Sequence, residues 1–452
     1  MPADVPPRRA RVACMIAMVA FGLLAGCWAP RIPDVRADLG LSDGALGAAL
    51  LGAPFGAVAT IWLTGRLLGR FASRVVVRAT LVLTCVVWNL VPIAGNIGEL
   101  FVAIALWGAA SSALDVALNT QIAQVERHYG RPIMTSAHAA WAGGALLGAG
   151  VGSACAGLDI PLAAQIVGVG AFSLATILPA TLAMLPTDPI PTVDPIPTAG
   201  PIPAVPPPLN GPPRPDGSPP PAVAPSPDAS RARRPGRSAP ERSPGRMGVR
   251  SRVGRMPRTS VALCAMAFGS LLCEGVAADW SALYLEEVTG AAAGVSGLGY
   301  TAFSGCMLAT RTIGDRAAVR FGPGRLVRTL AGAAAVLFGL ALATGATGAG
   351  TVTGILGFAA VGTGAACVYP SGMSAMARVG QGAGTSVAAY ATFGYLGWLT
   401  GPVLVGALSA LLGLHTAMLA VPLLLFMIVI LAPTLAVGDG QRSSAQPRAT
   451  GA

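Results

Sequence analysis

The feature that most constrains the fold is a series of apolar stretches, each about 20 residues long, separated by short arginine-bearing turns. Folded as a helix, such a stretch crosses about 30 Å of hydrocarbon. Because lipid offers no water to the backbone amides, each stretch is expected to be helical. Twelve transmembrane helices are predicted, at 12–30, 43–64, 74–94, 99–125, 133–156, 161–185, 260–285, 293–312, 325–345, 350–377, 384–412 and 415–437.

Composition excludes several classes of protein. Only 11% of the 452 residues are charged, whereas soluble domains carry about a quarter. The net charge of +11 comes from arginines that lack the interleaved aromatic residues of a nucleic-acid-binding surface. The sequence contains no catalytic or nucleotide-binding motif and no C-x-x-C pair. We therefore expect a membrane protein that is not an enzyme, with no cofactor, metal site or nucleic-acid partner.

The chain divides into five segments. Residues 186–258 are rich first in proline and then in arginine, which predicts a disordered linker or, alternatively, a docking segment for an SH3-like partner. The predicted segments are an N-terminal tail (1–11), a six-helix bundle (12–185), the linker (186–258), a second six-helix bundle (259–437) and a C-terminal tail (438–452).

Arginine placement predicts the orientation. Nearly all arginines fall on the side of the predicted membrane that holds the termini and the linker, and the other side receives only Arg31 and Arg36. By the positive-inside rule, both termini are expected to be cytoplasmic in a multi-pass protein of the cell membrane. Arg31 and Asp34 flank Pro33 beyond the first helix, either as an outer gate or as a solvated pair.

The two halves of the chain repeat. Ala20-Phe21-Gly22 in the first helix recurs as Ala267-Phe268-Gly269 in the seventh, and an arginine-rich turn follows each at a similar spacing. Together with the equal number of helices, this repeat predicts two parallel halves. The predicted fold class is an all-α membrane protein with two pseudo-symmetric six-helix bundles.

Two carboxyl groups are predicted near the middle of the membrane. Asp115 lies deep in the fourth helix with Asn119 one turn later, and Glu274 lies deep in the seventh. A lone carboxylate is costly in hydrocarbon, so each should face a cavity or a partner, and no basic residue is expected at this depth to pair with either. Asp115 and Glu274 are therefore candidates for proton exchange; the alternative is a hydrogen-bonded carboxyl that serves packing.

Further polar and aromatic side chains within the predicted helices could bind a solute. Aromatic residues in such helices also serve as packing or interface anchors, and that interpretation stays open for each. The candidates for a solute cavity are Trp28, Asn119, Gln121, His138, Trp141, Asp279, Trp280, Tyr369 and Tyr395.

The arrangement of helices and turns resembles the major facilitator superfamily. The turn signature of that family is roughly G-x-x-x-D-R-x-G-R-R; Gly65, Arg70 and Arg74 match it, whereas Gly69 replaces the aspartate. The strings W-A-P-R-I-P-D (28–34), D-V-A-L-N (115–119), R-P-I-M (131–134) and C-E-G-V-A-A-D-W-S-A-L-Y (273–284) resemble the YbjJ-type group, which is similar to fucose permeases.

The resemblance implies a secondary transporter that works by alternating access on a small solute, with a preference for a sugar-like or other polar organic solute. Asp115 and Glu274 add the expectation that transport is coupled to protons, and the protein is expected to function as a monomer. It also implies a cytoplasmic gate, for which the candidates are Arg66, Arg70, Arg74, Arg311, Asp315 and Arg316. The alternative is that these arginines only set the topology. Three other interpretations stay open. They are an exporter of hydrophobic compounds, a non-transporting sensor or scaffold, and a lipoprotein signal that ends at Cys27.

Overall fold

The first half of the chain forms eight α-helices in a computed structural model, which describes residues 7–129, 133–186, 257–379 and 383–436. Short 3-10 helices at Ala29–Arg31, Val91–Ile93 and Thr181–Ala183 extend three of them. The eight helices are α1 (Pro7–Gly26), α2 (Ile32–Leu39), α3 (Asp43–Leu50), α4 (Gly52–Arg70), α5 (Ser73–Trp88), α6 (Ile97–Tyr129), α7 (Met134–Gly157) and α8 (Leu162–Ala180).

Within residues 257–379 and 383–436, the second half forms nine α-helices, and a 3-10 helix at Ala432–Ala436 follows the last of them. They are α9 (Arg258–Glu287), α10 (Ala293–Ser296), α11 (Leu298–Phe321), α12 (Pro323–Ala343), α13 (Gly350–Ala365), α14 (Val368–Val379), α15 (Ala383–Leu412), α16 (Leu414–Ala417) and α17 (Ala420–Leu431).

Several spans consist of two consecutive helices, such as α1 with α2 and α13 with α14. When each such pair is counted as one span, the helices confirm the predicted twelve-helix fold. Eleven helical segments of the described chain are long and apolar enough to cross a membrane. The remaining one contains α11, whose charged residues lower its hydropathy although its 24 residues span about 36 Å. The prediction ended this helix at 312, nine residues before its observed end at Phe321.

The predicted tails and linker lie largely outside the described residues. Residues 1–6, 187–256 and 437–452 are among those not described. The N-terminal tail was predicted to end at residue 11, but α1 already begins at Pro7.

Glycines allow the helices to approach closely, as the G-x-x-x-G spacing on the fifth predicted helix indicates. Gly144 and Gly148 on α7 lie directly against the backbone of α1 at Val19 and Leu23, and Gly152 lies against the backbone of Cys27, which follows α1. A Cβ atom at Gly144 or Gly148 would collide with a carbonyl oxygen. This packing fixes the position of α7 within the first half.

Successive spans run in opposite directions, so their ends define two faces of the bundle. We call the face where α1 and α9 begin the proximal face, and the opposite one the distal face. The C-terminal ends of α4, α6, α11 and α14 lie at the proximal face. The turns that follow α2, α5, α7, α9, α12 and α15 lie at the distal face.

Candidate functional site

Asp115 and Glu274 lie near the middle of two long helices from opposite halves. Asp115 is 18 residues after the start of α6, or about 27 Å along a helix of 33 residues. Glu274 is 16 residues after the start of α9, or about 24 Å along a helix of 30 residues. Both carboxyl groups therefore lie at mid-depth in the bundle.

Asp115 faces the interface between the two halves. Asn119 Nδ2 donates a hydrogen bond of 3.0 Å to Asp115 Oδ1, which confirms that the two side chains share one face of α6. His138 on α7 and Tyr395 on α15 lie within electrostatic range of the carboxyl group. Because Tyr395 belongs to the second half, the Asp115 carboxyl group lies on the side of α6 that faces that half.

Glu274 is paired with an arginine. Arg311 Nη2 donates a hydrogen bond of 3.0 Å to Glu274 Oε1, forming a salt bridge between α11 and α9. Arg311 Nε also donates to the carbonyl oxygen of Ala366, at 3.3 Å. That carbonyl is available because the helix is broken between α13 and α14.

This pair corrects two predictions made from the sequence. A basic residue does lie at the depth of Glu274, and Arg311 lies within the span rather than in a turn at the proximal face. The reason is that α11 continues to Phe321. Arg311 is therefore 13 residues, or about 20 Å, from the start of the helix.

A tyrosine side chain lies within electrostatic range of each carboxyl group. Tyr369 on α14 lies within electrostatic range of both Glu274 and Tyr395, and Tyr395 lies within range of Asp115. The Tyr390 hydroxyl donates a hydrogen bond of 3.0 Å to the carbonyl oxygen of Tyr369. The resulting polar group, which we call the midplane cluster, comprises Asp115, Asn119, His138, Glu274, Arg311, Tyr369 and Tyr395.

Sequence reasoning missed one residue next to this cluster. Tyr300 on α11 lies within electrostatic range of both Glu274 and Asp279. The sequence offers no sign of this, because Tyr300 follows two glycines near a helix start and has no charged neighbour in the chain.

The remaining cavity candidates lie in different surroundings. Trp28 is buried against Trp107, with ring centroids 6.3 Å apart, inside the first half. Gln121 is buried and accepts a hydrogen bond from the Ser73 hydroxyl near the proximal face. Trp141 is partly buried, and its Nε1 has no hydrogen-bond partner among the described residues. Trp280 is fully buried in the second half.

The other gate candidates lie toward the proximal face. Arg66, Arg70 and Arg316 are exposed, and the Arg66 guanidinium lies over the ring of Trp62. Arg74 is partly buried, and its Nε has no hydrogen-bond partner in the described part of the chain. The side chain of Asp315 is not among those described. Their role in a gate therefore stays a prediction.

Charged side chains join the two halves at the distal face. Arg36 Nη2 lies 2.6 Å from Asp43 Oδ1 within the first half, and Arg36 Nη1 also pairs with Glu287 at the end of α9. The Ser409 hydroxyl on α15 donates a hydrogen bond to Asp43. We call these four residues the distal lock.

Close backbone contacts reinforce this closure. A Cβ atom on Gly47 of α3 would lie 2.5 Å from the carbonyl oxygen of Pro402 on α15. Gly157 at the end of α7 lies directly against Gly294 on α10. The two halves are therefore packed together at the distal face.

Arg31 supports the first half beneath this closure. It is only 4% exposed, so the solvated-pair interpretation is wrong. Its Nε lies 2.5 Å from Asp34 Oδ2, its Nη1 donates to Gln165 Oε1 at 2.8 Å, and its Nη2 donates to the carbonyl oxygen of Ile160 at 2.9 Å. These partners all lie inside the first half, and a role for Arg31 in an outer gate stays a prediction.

Comparison with known proteins identifies the family. The model of the Major Facilitator Superfamily matches residues 14–402. This chain belongs to the Major Facilitator Superfamily. An uncharacterized transporter of Sinorhizobium fredii, y4wD, is 29% identical over 416 residues, which cover 92% of this chain and 95% of that relative. An uncharacterized MFS-type transporter of Yersinia pestis is 27% identical over 417 residues, covering 92% of this chain and 93% of the relative.

A solved structure supports the same fold. A mutant of the nucleoside transporter NupG superposes with a TM-score of 0.66 at 13% identity, covering 94% of this chain and 98% of that one. Membership of the Major Facilitator Superfamily makes this chain a multi-pass membrane transporter of small solutes and not an enzyme.

Proposed function

We propose that this transporter moves a small polar organic solute by alternating access, with Asp115 and Glu274 exchanging protons. The observation that carries the proposal is that the two halves each contribute a mid-depth carboxyl group to one polar cluster at their interface. Ionisable groups at this depth mark ion or substrate pathways in membrane proteins.

The salt bridge gives protonation a structural consequence. When Glu274 takes up a proton, the attraction that holds Arg311 to α9 is lost. The guanidinium stays charged and needs a new partner, because arginine does not deprotonate in proteins. Proton binding at Glu274 is thus coupled to movement between α9 and α11.

Unpaired buried polar atoms on α6 and α7 favour a polar solute over a lipophilic one. Asn119 Oδ1 and Trp141 Nε1 are buried without hydrogen-bond partners in the described part of the chain. Buried polar atoms normally have a hydrogen-bond partner. A solute with hydroxyl or amide groups would supply the missing hydrogen bonds. Two comparisons agree with such a solute. The fold is similar to that of NupG, which is a nucleoside transporter, and short motifs resemble those of a group similar to fucose permeases.

The arginine asymmetry supports a cell-membrane protein with the proximal face and both termini in the cytoplasm. In that orientation the distal lock closes the outer side of the transporter, so its solute site would be reached from the cytoplasm. Opening the lock would be the step that admits solute from outside.

A thermal-shift screen tests the solute class. We would titrate sugars, sugar acids, nucleosides and lipophilic cations into purified protein at two pH values. A ligand at about 100 times its Kd stabilises the native state by about 2.7 kcal/mol, which is easily detected. The proposal predicts a selective shift with a polar solute, changed by pH and lost in Asp115→Asn and Glu274→Gln.

Glu99→Gln is the matched control. Glu99 is an exposed carboxyl group on the same helix as Asp115, bonded to Gly95 N and Asn96 Nδ2 at the distal end. Its replacement should leave the shift unchanged. Thermal shifts with lipophilic cations alone would instead favour the exporter. A thermal shift of the same size in the parent, Asp115→Asn and Glu274→Gln would contradict the role of the two carboxyl groups.

A further inference from the structure

Helix α4 carries a continuous exposed stripe that ends in an arginine. Phe55, Val58 and Trp62 are exposed on α4, and Arg66 follows Trp62 by one turn on the same side. Trp62 is 69% exposed, and the Arg66 guanidinium lies over its ring. In a membrane protein, large exposed apolar side chains along a spanning helix face lipid. Arg66 therefore lies at the lipid-facing edge of the proximal face.

The stretch of chain around Arg66 carries no acidic residue. No aspartate or glutamate occurs in the chain between Asp43 and Glu99. None of the ion pairs in the described part of the chain includes Arg66 or Arg70, and both side chains are exposed. Arg78 on the following helix instead donates to the Thr181 hydroxyl at 2.6 Å, inside the bundle. Arg66 and Arg70 thus present positive charge outward.

The second half repeats the arrangement. Arg320 lies at the proximal end of α11, with its guanidinium carbon 5.4 Å from the ring centroid of Phe321. Arg320 is exposed, Phe321 is 56% exposed, and Ile313 on the same helix is also exposed. Helices α4 and α11 belong to the second span of their respective halves. Each half therefore places an exposed arginine on an exposed aromatic ring at the same face.

We propose that Arg66 on Trp62, with Arg70 beside it, binds the phosphate of an anionic phospholipid. Stacking on the ring fixes the guanidinium plane and leaves its N–H edge free for two hydrogen bonds to phosphate oxygens. Tryptophan is favoured at the depth of the headgroups, and the stripe of Val58 and Phe55 lies where an acyl chain would run. Because this apolar stripe continues from the arginine, the occupant is a lipid and not free phosphate.

Lipid titration of the purified full-length chain tests the site. Delipidated protein in detergent would be titrated with phosphatidylglycerol, phosphatidylcholine or inorganic phosphate, and bound lipid would be followed by native mass spectrometry and by Tm. Phosphatidylglycerol should bind more tightly than phosphatidylcholine, and inorganic phosphate should not raise Tm. Arg66→Gln should weaken phosphatidylglycerol binding about fivefold, since one basic residue near a membrane surface contributes about that factor.

Two further variants make the test specific. Trp62→Leu keeps an apolar lipid-facing side chain but removes the ring, so it should also weaken binding of phosphatidylglycerol. Arg328→Gln is the control, because Arg328 is an exposed arginine of α12 outside this stripe. Equal binding of both lipids would overturn the proposal. An equal rise in Tm with inorganic phosphate alone would also overturn it. So would an equal loss of phosphatidylglycerol binding in Arg66→Gln and Arg328→Gln.

Discussion

A single added methyl group tests whether the distal contacts hold the two halves together. Gly47→Ala places a Cβ atom 2.5 Å from the carbonyl oxygen of Pro402 in the opposite half. Relief of this overlap to about 3.2 Å requires α3 and α15 to separate by about 0.7 Å. The overlap exists only while the distal face is closed.

The energetic consequence follows from that geometry. An added methyl group in a well-packed contact costs about 1–3 kcal/mol. Because the cost falls on the closed state alone, the ratio of open to closed molecules should rise about 5- to 150-fold. The gain in helix propensity from glycine to alanine is the same in both states, so it cancels from this ratio.

A buried reporter measures the opening. Val405 on α15 is fully buried and lies one turn from Ser409 of the distal lock. In protein whose native cysteines are replaced, a Val405→Cys reporter should react with a charged maleimide faster when Gly47→Ala is present. The measurement is the labelling rate in lipid nanodiscs.

Gly148→Ala is the matched control. Its Cβ atom would collide with the carbonyl oxygen of Leu23, a similarly close approach but within the first half. This variant should lower Tm without faster labelling of the reporter. Equal labelling rates in the parent, Gly47→Ala and Gly148→Ala would refute the argument that these glycine contacts close the distal face.

Three further predictions concern the charged residues. Arg31→Gln should lower the free energy of unfolding by about 2–4 kcal/mol, because it removes a buried guanidinium from Asp34 and its other partners; an unchanged Tm would contradict this. Glu274→Gln and Arg311→Gln should each cost about 1–2 kcal/mol, below the value for a fully buried pair because Arg311 is 39% exposed. Their double variant should cost less than the two costs added, and strict additivity in a double-mutant cycle would argue against the pair. Glu287→Gln should speed labelling of the Val405→Cys reporter about fivefold, whereas unchanged labelling would mean that its bond to Arg36 does not hold the closed state.

The fold was predictable because its signals are local. Apolar stretches long enough to span a membrane mark eleven of the twelve spans in the described chain, and the Asp115–Asn119 pair follows from helical spacing alone. The boundary error at α11 has a physical cause. The predicted span stops at 312, next to Arg311, whereas an arginine inside a membrane helix is tolerated when a carboxylate such as Glu274 neutralises it.

The distal lock was not predictable because the residues that pair between the two halves are far apart in the chain. Arg36 and Glu287 belong to different halves, and only the packing of α2 against α9 brings them together. Nor does residue type reveal which aromatic side chains face the interface. Trp28 packs inside its own half, whereas Tyr395 lies near a carboxyl group of the other half.

Solute-driven proton movement tests the central claim most directly. The transporter would be reconstituted in proteoliposomes that enclose a pH-sensitive dye, and the solute with the largest thermal shift would be added outside. Acidification of the lumen by the parent and by Glu99→Gln, but not by Asp115→Asn or Glu274→Gln, is the predicted result. Solute uptake without proton movement, or equal acidification by all four proteins, would contradict proton exchange at the midplane cluster.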